Sequence, residues 1–178
     1  GEGEITSLAD EGYVNWAHNK GYKVWALFSN SFDSEITHSS LESSDKREYI
    51  IKQIVEFVKE YNLDGINIDF ENVSSEDGEN YVQFIREITP YLHNMDIVVS
   101  VDVYVPRSWT SHYNIEELGK IVDYIVVMAY DEHWSTSPVS GSVASKNWVY
   151  LGIQSVLEMV DSKKVIMGIP FYTRLWKE

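Results

Sequence analysis

Three polar side chains recur at every second position of one short stretch. They are Asn67, Asp69 and Glu71 in LDGINIDFE, residues 63–71. The stretch reads as a strand, because apolar and polar residues alternate and no breaker interrupts it. Residues two apart in a strand share a face. Ile66, Ile68 and Phe70 then point one way, and Asn67, Asp69 and Glu71 the other, with Gly65 below them. A solvated strand face would explain such a pattern. However, the run lies among other apolar strands separated by helical segments, an arrangement that covers both faces. Polar groups on a covered face need partners, and neighbouring carboxylates raise each other's proton affinity. A carboxyl group that keeps its proton near neutral pH can serve as a general acid.

The elements that must position these groups follow in order. Residues 9–20 read as a short helix closed by Gly21, and residues 23–28 as an apolar strand followed by a polar loop, SNSFDSE. Asp45 and Glu48 have the spacing of a capping box. Ile50, Ile54, Phe57, Val58 and Tyr61 then form one helical stripe. After the 63–71 strand comes a second stripe, Tyr81, Phe84, Ile85, Ile88 and Leu92, in a helix that Pro90 is expected to kink or end. Strands are expected at 96–106, 122–132 and 164–172, with helices at 114–120 and 147–160 between them.

Alternating helices and strands indicate a parallel sheet with right-handed crossovers. A doubly wound sheet and a (β/α)8 barrel both fit. The strand ends favour the barrel, because Ser29 and Asn30, Asp69 and Glu71, Asp102 and Tyr104, Tyr130 and Asp131, and Tyr172 all fall near C-terminal ends. In a barrel those ends converge on one mouth, where the chemistry sits. The glycine-rich phosphate loop that usually follows the first strand of a doubly wound sheet is absent.

Composition narrows the function. Lys plus Arg total 14 against 28 Asp plus Glu, a net charge of −14. Such a surface repels a phosphate backbone, so nucleic acid is not an expected partner. With no cysteine, disulfides, thiolate chemistry and Cys-based zinc sites drop out. No apolar run approaches the ~18 residues of a membrane span. His133 has no partner at metal-ligand spacing, and no cofactor or metal is expected.

DGINIDFE, residues 64–71, resembles the D-G-x-D-x-D-x-E signature of glycoside hydrolase family 18, the chitinase-like enzymes. GYKVWALFSN resembles that family's third barrel strand. VVMAYDE, with Met128, Tyr130 and Asp131, resembles the sixth, and VIMGIPFYTR, with Gly168, Pro170 and Tyr172, the seventh. These stretches span residues 21–174 in the family's order. The wording DGINIDFENV and MAYDEHW is nearer to the bacterial spore-associated N-acetylglucosaminidases, which often carry LysM modules.

The resemblance implies a (β/α)8 TIM barrel of which residues 1–178 form one partial domain, strands three to seven. It implies hydrolysis of a polysaccharide containing N-acetylglucosamine, at an extracytoplasmic, cell-wall or spore location. Glu71 would be the general acid. Asp69 would orient the substrate's 2-acetamido group, whose oxygen attacks the anomeric carbon, and Tyr130 would steady the acetamido carbonyl. Asp131 would bind sugar hydroxyls, and Tyr172 would line the site.

Asn67 departs from the signature, where Asp stands. An amide cannot store a proton, although it can still hydrogen-bond. Asp64 is expected to shape the start of the strand. Trp109 and Trp134 follow strand ends and can stack on sugars or simply pack. Two other readings remain open: a chitinase-like sugar-binding protein without activity, and a two-carboxylate glycosidase using Glu71 with Asp102 or Asp131. An open run of five strands would leave two sheet edges unpaired, which invites self-association.

Overall fold

A computed structural model describes residues 3–177. It contains one five-stranded, wholly parallel sheet in the order β1 (Trp25–Ser29), β2 (Gly65–Asp69), β3 (Val98–Tyr104), β4 (Tyr124–Met128), β5 (Val165–Gly168). Spatial order equals chain order. A doubly wound sheet reverses direction part-way, so this topology selects the barrel alternative.

The sheet is curled. The rings of Trp25 on β1 and Tyr124 on β4 stack with centroids 5.7 Å apart, although two strands separate them. In a flat sheet they would lie roughly 14 Å apart at ordinary strand spacing. Gly65 makes this contact possible, because a Cβ there would lie 2.6 Å from the Trp25 ring.

Helices cover the convex face. They are α1 (Glu11–Asn19), α2 (Ser34–Leu41), α3 (Ser44–Glu60), α4 (Gly78–His93), α5 (Ile115–Ile121) and α6 (Lys146–Leu157). The α4 stripe read from the sequence is buried in full: Tyr81, Phe84, Ile85, Ile88 and Leu92 join Ile66, Ile68 and Phe70 of the β2 strand and its extension in one core. From α3, Ile50, Ile54 and Val58 are buried. Phe57 and Tyr61 sit half-buried at the rim against each other.

Three local expectations are corrected. Ser43, not Asp45, caps α3, its hydroxyl accepting from Lys46 N. The polar loop after β1 leads directly into helix α2, capped by Asp33, whose carboxylate accepts from the backbone N–H groups of Glu35 and Ile36. The helix has few apolar residues, so periodicity does not reveal it. Pro90 does not end α4, which continues to His93. Pro90 and Arg86, whose carbonyl loses its helical partner, both lie on the exposed face.

Candidate active site

The concave face carries the polar side chains. Asp64 stands below it. Its carboxylate accepts from Val24 N at 2.8 Å and contacts His18 Nε2 at 2.7 Å and Lys23 Nζ at 3.0 Å. It therefore ties the start of β2 to β1, as expected.

Above it, Asn67, Asp69 and Glu71 share the concave face, while Ile66, Ile68 and Phe70 are buried on the other side. Asn67 Nδ2 donates to Asp102 Oδ1 at 2.8 Å. Asp69 has one buried carboxylate oxygen without a hydrogen-bond partner. Burial raises its pKa. The pKa of Glu71 is also raised, first by burial and then by the charges of Asp69, Asp102 and Asp131, against an opposing hydrogen bond from Tyr104.

The backbone that presents Glu71 is fixed from both sides. Asn30, at the end of β1, accepts from Glu71 N through Oδ1 at 3.0 Å and donates through Nδ2 to Glu71 O at 2.6 Å. Its Nδ2 also donates to Thr37 of α2 at 2.7 Å. On the other side, Tyr113 Oη donates to Phe70 O and accepts from Val73 N, each at 3.1 Å. Asn72 holds a left-handed φ of 53° and donates its N–H to Tyr104 Oη at 3.3 Å. Asn tolerates that conformation better than most residues.

Tyr130 stands just beyond β4. Burial, then the charges of Asp102, Asp69 and Glu71, push its phenol up to about 12. Tyr172 meets it edge-on at 6.4 Å. Gly168 provides the room: a Cβ there would lie 3.2 Å from the Tyr130 ring. Asp131 also adopts a left-handed φ, 57°, and one of its oxygens pairs with Arg174 Nη2 at 2.6 Å.

The mouth thus brings together Asn67, Asp69, Glu71, Tyr130, Asp131 and Tyr172. The two tryptophans are exposed. Trp109 is 71% exposed, and its ring lies 6.0 Å from the Arg107 guanidinium. Trp134 is half exposed, with Nε1 donating to Thr136 at 2.8 Å.

The sequence gives no site role to Asn30, Tyr104, Tyr113 or Arg174. The one available signal was position: Asn30 and Tyr104 fall at strand ends. Among the described residues no group of three or more His, Asp or Glu side chains is placed to hold a metal ion, and no helix is long and apolar enough to cross a membrane. The arrangement offers an acid with raised proton affinity, a neighbouring carboxylate and a phenol, all facing one opening.

The sequence matches glycosyl hydrolases family 18 over residues 11–178. The chain belongs to this family. It is similar to the uncharacterized glycosylase YvbX of Bacillus subtilis, 32% identical over 188 residues, covering 98% of this chain and 54% of that protein. It is also similar to the di-N-acetylchitobiase of Rattus norvegicus, 30% identical over 185 residues, covering 95% of this chain and 48% of that one. The crystal structure of the Bacillus subtilis YdhD glycosylase superposes with a TM-score of 0.90 at 27% identity, covering 96% of this chain and 60% of that one. The chain therefore spans about half the length of these family 18 relatives. The five strands are a consecutive part of a family 18 barrel wall.

Proposed function

We propose that this chain carries the catalytic face of a retaining glycosidase that hydrolyses β-linked N-acetylglucosamine polymers with help from the substrate. The observation that carries this reading is the placement of Glu71. It sits at the mouth with raised proton affinity, about 7 Å along the strand from Asp69 by strand rise.

Glu71 donates its proton to the glycosidic oxygen as the bond from that oxygen to the anomeric carbon breaks. The acetamido oxygen forms the new bond to that carbon, giving an oxazolinium ion. Asp69 accepts from the acetamido N–H and orients the group, and the Tyr130 hydroxyl donates to the acetamido carbonyl. Glu71, now a carboxylate, takes a proton from water as the water opens the ring. Two inversions give net retention. Family 18 is among the exceptions to the two-carboxylate mechanism.

Asn67, one pleat below Asp69, donates to Asp102 and borders the sugar site, and Asp131 and Tyr172 flank the sugar. Trp109 and Trp134 offer exposed rings on which further sugar units can stack. Membership in family 18 and similarity to a di-N-acetylchitobiase support an N-acetylated substrate. The similarity to a putative sporulation-specific glycosylase supports a polymer outside the cytoplasm, in cell wall or spore.

A thiazoline analogue of the oxazolinium ion tests the reading. With the complete barrel that contains this chain, the analogue should inhibit competitively and much more tightly than N-acetylglucosamine. A glycosyl ester trapped on an Asp or Glu instead would assign the nucleophile to the protein.

A further inference from the structure

The Asn67 position leaves the signature strand one carboxylate short, and the neighbouring strand supplies one. β2 and β3 pair in parallel with Asn67 opposite Ser100 and Ile68 opposite Val101. One residue further on, Asp69 and Asp102 therefore stand side by side on the same concave face. Neighbouring strands lie only about 4.8 Å apart. The Asn67 amide reaches across to Asp102 Oδ1 at 2.8 Å.

Around this pair the face is short of hydrogen-bond partners. Ser100, two residues before Asp102 and 1% exposed, has a hydroxyl with no partner, and the side-chain oxygen of Asn67 and one oxygen of Asp69 are buried and equally unpartnered. The other ionisable groups that act on the pair are Glu71 beyond Asp69, Tyr130 from the end of β4, Tyr81 from α4 and Tyr113 from the turn before α5. No cation is among them.

We propose that Asp102 is the positioning partner of Asp69: the two carboxyl groups share a single proton across the β2–β3 pair, and the Asn67 amide holds Asp102 in register. Two ionised carboxylates so close in a poorly solvated face repel each other, and one bound proton removes that repulsion. When Asp69 accepts from the acetamido N–H it is the ionised member, and the proton rests on Asp102. Asp69 can change its protonation state without exchanging with solvent, and the charge beside Glu71 stays at one unit. This role deepens the substrate-assisted reading and rests on it for its catalytic meaning. The shared proton itself does not depend on that reading. The raised pKa of Asp102, about 6, set first by burial and then by the Asp69 charge against the Asn67 hydrogen bond, is in keeping with it.

The test is a carboxyl ¹³C NMR titration of the complete barrel that contains this chain. Two interacting acids titrate in two macroscopic steps that belong to the pair. In the unsubstituted chain both carbons should report both steps. In Asp102→Asn, a near-isosteric change, Asp69 should titrate in a single step with roughly tenfold lower proton affinity, a fall of about one pKa unit. Asp69→Asn should lower the Asp102 step in the same way and provides the reciprocal measurement should the first variant fold poorly. Independent one-step titrations in the unsubstituted chain, or an Asp69 curve unchanged by Asp102→Asn, would overturn the proposal.

An activity arm separates the two readings. In the complete barrel, Asp102→Asn should shift the pH profile of kcat/KM. The double variant Asn67→Asp/Asp102→Asn, which returns the carboxylate to β2, should restore it. Coupled titration in a protein that hydrolyses no N-acetylglucosaminide would leave the shared proton standing and remove the proposed function.

Discussion

β2 and β5 are strands of the same sheet, and they live in different surroundings. On β2 and its extension, Ile66, Ile68 and Phe70 are buried beneath α3 and α4, and the concave side is half-buried. On β5 and its extension, Ile166, Met167, Ile169 and Phe171 are all substantially exposed. The carboxylates follow the same division. Asp69, Glu71 and Asp102 in the covered centre hold their protons more tightly than usual. Asp131, next to the β5 edge, is instead matched by the Arg174 guanidinium. Burial without a cation raises proton affinity in the centre, whereas the edge carboxylate has a guanidinium partner. The proposed acid therefore lies on the better-covered strand.

The largest expected effect lies at the covered centre. In the complete barrel, Glu71→Gln should lower kcat by ~10²–10⁴, the usual contribution of general acid catalysis, with sugar affinity retained. Asp131→Asn at the edge should cost far less. Steady-state kinetics on a chromogenic N-acetylglucosamine oligomer measure both, and equal losses would erase the distinction between the two regions.

Stability should divide the same way. Ile68→Ala removes a side chain with no exposed surface and should cost ~2–5 kcal/mol in urea unfolding. Ile166→Ala, whose side chain is already 38% exposed, should cost under about 1 kcal/mol, because little apolar area leaves the interior. A comparable cost at both positions would mean that β5 is better covered than its surface indicates.

The exposed rows also bear on association. Leu27 on β1 and Met167 on β5 expose apolar surface at the two unpaired edges, and open edges with apolar side chains recruit other chains. The 178-residue chain should show concentration-dependent association in sedimentation velocity, reduced by Leu27→Lys and Met167→Lys. A single monomeric species at every concentration would contradict it.

A smaller effect concerns pH. Asp102 holds its proton to about 6 against an ordinary 3.8. Between those values the folded chain keeps a proton that the unfolded chain has released, so this group's contribution to stability falls as pH rises through that window. Asp102→Asn should therefore gain on the unsubstituted chain between those pH values, by on the order of 1 kcal/mol after solvent screening. Unfolding curves that stay parallel across the window would argue against a raised Asp102.

How much of this was legible in the sequence follows from what each feature depends on. The face shared by Asn67, Asp69 and Glu71 needs only the two-residue period of a strand, and it was read correctly. So was the α4 stripe, which needs only the helical period. The Asn67–Asp102 hydrogen bond depends on the register between two strands, which no local pattern records. Asn30 clamps Glu71 across 41 residues of sequence, and only the fold brings them together. Helix α2 escaped notice because Ser, Thr and His dominate it, although Asp33 marked its start. Tyr113 lies in a 3-10 turn, residues Ser108–Tyr113, too short to announce itself by periodicity.

The assignment of the nucleophile to the substrate is tested most directly by a matched pair of chromogenic substrates, an N-acetylglucosaminide and the corresponding glucoside, assayed with the complete barrel. The glucoside has the same ring and leaving group but no acetamido oxygen. Intramolecular attack of this kind is worth up to ~7–11 kcal/mol in favourable systems, and Asn67 beside Asp69 offers no replacement nucleophile. The expected result is ready hydrolysis of the N-acetylglucosaminide and no measurable hydrolysis of the glucoside. Comparable rates on the two sugars would contradict a substrate-assisted mechanism and put a protein carboxylate in its place.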